Sequence, residues 1–137
     1  MKKLISFQLA SRLSIILFGL LILFHTLVIL GITLFNWELL DYLWGGRIET
    51  REQLLGFELI SLLMMIVCLF LVLIRSGRIR LASLMGVAKA GLWVLFVLFL
   101  LNTAGNLLAE TLFEKLFALI TALLAVLCLR MAIDKYA

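Results

Sequence analysis

The chain has 137 residues, 66% of them hydrophobic and only 15% charged, with a formal net charge of +4. A water-soluble domain is about half apolar and about a quarter charged, so this balance excludes an ordinary soluble enzyme and points to the membrane class. The excess of Lys and Arg does not suggest a nucleic-acid surface either. The basic residues flank apolar runs instead of forming a patch, which is the pattern of a topology signal.

Met1-Lys2-Lys3 ahead of an apolar run imitates a secretory signal. The run begins only after Arg12 and lasts to about Phe35, too long for a signal core, and no small-residue cleavage site follows. It reads as a first membrane span over 13–35. Further spans are predicted over 51–74, 83–102 and 112–131. Each is long enough to cross a hydrocarbon core of about 30 Å at about 1.5 Å per residue. Four spans use most of the chain and leave no room for a second domain. The expected fold class is all-α, an integral membrane bundle of four transmembrane helices. No proline occurs anywhere, so the spans are expected to be continuous, without the broken helices of many transporters.

The connections carry their own signals. Thr50-x-x-Gln53 and Thr111-x-x-Glu114 have the spacing of capping boxes that start the second and fourth spans. Ser76-Gly77 is expected to end the second span and Gly105 the third. Segment 36–50 mixes aromatic, acidic and apolar residues. It suits a helical turn or two in the headgroup region anchored by Trp37, Tyr42 and Trp44, and broken by Gly45-Gly46. Ala82, Gly86 and Ala90 recur every four residues, a stripe that allows close helix packing or contact with a second copy.

Nine of the twelve basic residues precede the first span, lie between the second and third, fall in the first two turns of the third or close the fourth: Lys2, Lys3, Arg12, Arg75, Arg78, Arg80, Lys89, Arg130 and Lys135. The positive-inside rule then puts both termini and the 75–82 turn in the cytoplasm, with 36–50 and 103–111 outside. The charge asymmetry suits a bacterial inner membrane. Each half also runs from an Asn (Asn36; Asn102) through Phe-Glu (Phe57-Glu58; Phe113-Glu114) to an Arg (Arg75; Arg130). That is either a parallel repeat or the shared dress of any two in–out–in hairpins.

Ionisable residues inside a span are expensive and mark candidate sites. Glu58 lies seven residues into its span, too deep to be a cap, and shares a face with Ser61, Met65 and Cys68. It is either part of a site or a structural carboxylate paired with Arg47, Arg51 or an Asn. His25 is the only histidine. It lies mid-span, and its imidazole either titrates in a useful range or is bonded to a Thr or a carbonyl. Its spacing places it roughly 9 Å deeper than Glu58, so a direct pair needs tilt, a bridging water or Ser61. Asn102 and Asn106 present two amides one turn apart, or terminate the third span. Glu114 suits a helix N-terminus, and its face continues with Ala118, Thr121, Ala125 and Cys128. These polar residues crowd toward the outer half, so a pocket open outward and closed below is expected. Cys68 and Cys128 read as buried free thiols, with no metal-ligand spacing.

Two strings, Trp44-Gly45-Gly46-Arg47 followed by Phe57-Glu58 and Ser61, and Asn102-Thr103-Ala104-Gly105-Asn106 followed by Ala109 and Phe113-Glu114-Lys115, resemble a family of small uncharacterised bacterial four-helix membrane proteins. The resemblance implies that the outer connections do more than join spans, and it implies no activity. The leading expectation is a protein that binds or translocates an ion or small solute through the pocket. Glu58, Asn102, Asn106, His25, Arg47, Ser61 and Glu114 are its candidate ligand residues. An accessory, assembly or immunity subunit of a larger complex is the alternative. An outer-leaflet lipid- or quinone-modifying enzyme, with Arg47 gripping phosphate, comes third. Expected partners are the lipid bilayer and either further copies or another membrane protein, with no nucleic acid, cofactor or metal.

Overall fold

The computed structural model describes residues 5–44 and 47–134. Lys2, Lys3, Gly45, Gly46 and Lys135, all named above, lie outside them. Four α-helices follow in chain order: α1 (Phe7–Phe35), α2 (Arg51–Arg75), α3 (Met85–Leu107, preceded by a 3-10 turn, Ala82–Leu84) and α4 (Leu112–Ala132). No strand occurs among the described residues. All four helical stretches are long and apolar enough to cross a membrane. α1 packs on α2, α2 on α3 and α3 most extensively on α4, which closes the ring against α1. We call the end with the 36–50 segment and the α3–α4 connection distal, and the other end proximal.

Local chemistry explains most helix ends. Thr50 and Thr111 accept the backbone N–H of Gln53 and Glu114 and cap α2 and α4 as their spacing predicts. Thr111 also donates to the Glu114 carboxylate at 2.8 Å. α2 stops at a Schellman turn, in which the N–H groups of Gly77 and Arg78 reach the carbonyls of Ile74 and Leu73. That turn requires a left-handed residue, and Gly77 (φ 72°) supplies it.

Two boundaries differ from the sequence expectation. α1 begins at Phe7 because the Ser6 hydroxyl caps it through Leu9 N–H, so Arg12 sits inside the helix. α3 continues through Gly105 to Leu107. Ending it at Asn102 would leave carbonyls unbonded more than a turn earlier, and that cost outweighs the weak helix preference of one glycine.

The main core fills the middle and proximal part of the ring, with Phe18, Leu21, Val72, Leu92, Phe99, Leu124 and Met131 among its members. A smaller distal cluster joins Val28 and Ile32 of α1 and Leu54 of α2 to Leu43 and Ile48 of the connecting segment. That segment therefore folds back over the α1–α2 end. Trp37 lies directly on Gly31, where any Cβ would meet its ring carbons at 2.0 Å. The Ala82–Gly86–Ala90 stripe is exposed, and a Cβ at Gly86 would meet nothing within 4 Å among the described residues. The close approach of α3 falls at Gly91 instead, against Leu71.

Arg75 and Arg130, read from sequence as charges flanking loops, are buried. Arg75 Nε donates to the Met131 carbonyl at 3.2 Å, and its guanidinium lies 5.6 Å from the centre of the Phe7 ring. Arg130 Nε donates to the Ile5 carbonyl at 2.7 Å, and its Nη1 pairs with Asp134 at 2.8 Å. The two forks thus satisfy carbonyls at chain ends and tie α2, α4 and the segment before α1 together.

Candidate functional site

Glu58 is 1% exposed, at the distal level of the ring. Both of its oxygens are held. Oε2 lies 2.6 Å from His25 Nδ1, and Oε1 accepts the indole N–H of Trp44 at 2.9 Å. One hydrogen bond joins that nitrogen and oxygen, its direction set by the imidazole tautomer.

The direct His25–Glu58 contact departs from the spacing estimate, and the reason is register. The Arg51 guanidinium donates to the carbonyl of Ile32, so α2 starts level with Ile32 and not with the end of α1. His25 lies seven residues below Ile32, and Glu58 lies seven residues past Arg51. In an antiparallel pair, equal steps bring the two side chains to one height. The last turn of α1 projects beyond α2, and Trp37 folds back over it.

Trp44 was expected only as an interfacial anchor. It has a left-handed backbone (φ 56°) at the end of the turn that buries Leu43. A bulky residue rarely adopts that conformation, which costs on the order of 1–2 kcal/mol. Here it swings the indole over Phe57 (ring centres 5.1 Å apart) so that its N–H meets Glu58. Nothing in the sequence marks Trp44 as a donor to Glu58. A glutamate deep in a span, needing partners, was the available signal.

These groups edge a cavity of about 200 Å³. Its polar lining is His25, Trp44, Glu58, Ser61, Asn102, Asn106, Glu114 and Thr121. Its apolar walls are largely aromatic: Phe24 and Phe117 have ring centres 5.5 Å apart, and Phe113 lies 5.0 Å from Phe117. Leu21 and Phe99, members of the main core, also line it and close it on the proximal side. Ser61 and Met65 line it on the Glu58 face, and Cys68 continues that face, buried, as the spacing predicts. Ala118, Thr121, Ala125 and Cys128 are likewise buried along α4.

Six of the seven sequence candidates therefore meet in one place. Asn102 and Asn106 do so because α3 stays helical past Gly105. Arg47 is exposed and does not line the cavity. In the short segment 47–49 the buried side chain is Ile48, and its neighbours Arg47 and Glu49 face outward. The side chains of Ser61, Asn102 and Asn106 make no hydrogen bond among the described residues, so each has free donors and acceptors toward the cavity. Glu58 and Glu114 are the acidic lining residues, and no Lys or Arg among the described residues joins them. No group of three or more His, Cys, Asp or Glu suited to a metal occurs among the described residues.

No family model matches the chain, and neither a curated protein nor a solved structure matches it. The function has to be read from the cavity itself.

Proposed function

We propose that the chain is a polytopic membrane protein that binds a small cationic solute in the distal cavity in exchange for a proton released from the His25–Glu58 pair. Four helices compatible with membrane spanning support the first part. No more than 33% of any span's apolar window is buried, so most of each helix offers apolar side chains outward. A surface of that extent needs lipid. The basic residues Arg12, Arg75, Arg78, Arg80 and Arg130 gather at the proximal end, which supports a cytoplasmic proximal face and a cavity toward the exterior.

The observation that carries the cation reading is the lining: two carboxylates, aromatic walls and, among the described residues, no Lys or Arg. Carboxylates supply the counter-charge and ring faces attract a cation by their quadrupole. The unbonded Ser61, Asn102 and Asn106 groups replace part of the solute's hydration. A cation arriving beside Glu58 favours the ionised carboxylate and disfavours an imidazolium. With Nε2–H retained on the ring, the proton in the Nδ1–Oε2 bond then leaves to water at the distal mouth, so that a neutral imidazole and an ionised carboxylate remain, one proton out for one cation in. Proton and solute thereby compete for one carboxylate, which is the elementary step of exchange.

The test compares choline with its neutral isostere 3,3-dimethylbutan-1-ol on the purified protein, following heat and proton release together. Choline is expected to bind at least about tenfold more tightly and to release a proton. Glu58→Gln is expected to abolish that release. Equal binding of the two probes, no binding of choline, or release unchanged in Glu58→Gln would each overturn the proposal.

A further inference from the structure

A second cavity, of about 190 Å³, opens at the opposite, proximal end between the start of α1 and the α2–α3 turn. It is lined by Phe7, Gln8, Ser11, Arg12, Ser76 and Arg78. The exchange chemistry proposed above uses none of them. Arg12 and Arg78 make no ion pair or side-chain hydrogen bond among the described residues, and no acidic residue lines the cavity. The amides of Phe7 and Gln8 stand in the first turn of α1, where N–H groups have no intrahelical acceptor and the helix dipole is positive. Ser11 supplies the independent observation. It is only 5% exposed, lines the cavity and makes no hydrogen bond among the described residues. Among the described residues no fully buried side-chain oxygen lacks a partner, so the Ser11 hydroxyl keeps some exposure, and the cavity that Ser11 lines is where it opens.

We infer that this cavity holds the phosphate group of an anionic phospholipid. Two unpaired guanidiniums, a helix N-terminus and an unspent hydroxyl make a phosphate-shaped donor set. The flank of the cavity distinguishes a lipid from free phosphate. Leu9 and Ile16 lie three and four residues from Arg12 on the same face of α1, and Leu20, Leu23 and Leu27 continue it, all exposed. An acyl chain attached to a phosphate at Arg12 lies along that stripe, whereas free phosphate gains nothing from it. The proximal position also suits the anionic leaflet surface that basic pockets recognise.

The test is native mass spectrometry of the full chain titrated with phosphatidylglycerol, phosphatidylcholine or inorganic phosphate. One phosphatidylglycerol is expected to be retained at least about tenfold more strongly than phosphatidylcholine. The double variant Arg12→Gln/Arg78→Gln is expected to lose that preference. Arg80→Gln removes a charge from the same exposed turn without touching the cavity, and is expected to keep it. Ser11→Ala is expected to weaken retention severalfold without altering the thermal midpoint of the lipid-free protein. Equal retention of both lipids, an equal loss in Arg80→Gln, or binding of inorganic phosphate alone would overturn the inference.

Discussion

Glu58 shows how one buried carboxylate organises its surroundings. Its two partners come from different elements, and each fills one oxygen. Removing one member of such a set leaves the others buried and unpaired, at a cost of about 3–5 kcal/mol, whereas replacing both charges by apolar groups is often neutral. Glu58→Leu alone is therefore expected to lower the thermal midpoint sharply in detergent. The double variant His25→Leu/Glu58→Leu is expected to recover most of that stability while failing to bind choline. A double variant no more stable than Glu58→Leu would show that the pair is not the unit. Trp44→Phe keeps the ring on Phe57 and deletes only the N–H, so thermal unfolding should report a loss of about 1–2 kcal/mol. The burial of Glu58 was legible in the sequence, because a glutamate seven residues into an apolar run has no other reason to be there. The role of Trp44 was not, because it depends on a left-handed backbone that no local pattern announces.

Among the elements, the four apolar stretches and both threonine caps could be read directly, because hydrophobic length and capping chemistry are local. Register between helices is not local. The Arg51 bond to the Ile32 carbonyl sets the heights of α1 and α2, and it brings together two residues whose spacing from the helix ends kept them apart. The same limit applies to Arg75 and Arg130. Their charge was visible, but their burial depends on which carbonyls α4 and the start of the chain leave open. Two glycines test the packing. A methyl at Gly31 meets the rigid indole of Trp37 at 2.0 Å, whereas at Gly91 it meets only the mobile end of Leu71 at 2.7 Å. Gly31→Ala is expected to cost about 1–3 kcal/mol. Gly91→Ala should be close to neutral, since Leu71 can turn and the helix gains about 0.5–1 kcal/mol. Equal thermal midpoints for the two variants would argue against the folded-back Trp37.

For the whole molecule, polar groups sit at both ends and the middle of the ring is sealed by Phe18, Leu92, Phe99 and Leu124. That arrangement allows binding from the distal side without a continuous path through the resting chain. Orientation can be tested directly, because Cys68 and Cys128 are about 1% and 0% exposed and so leave a quiet background for labelling. A cysteine introduced at Arg78 is expected to react with an impermeant maleimide only from the cytoplasmic side, and one at Tyr42 only from outside. The reverse pattern would turn the cavity toward the cytoplasm. His25, the only histidine in the chain, gives the most direct measurement of the exchange step. Nitrogen-15 NMR of the histidine-labelled protein reports its ring from a single residue. On addition of choline, the His25 Nδ1 resonance is expected to move from its carboxylate-bound position toward that of the unprotonated nitrogen of a neutral ring, and Glu58→Gln should abolish the response. A His25 signal indifferent to choline, or one that responds equally in Glu58→Gln, would contradict the account.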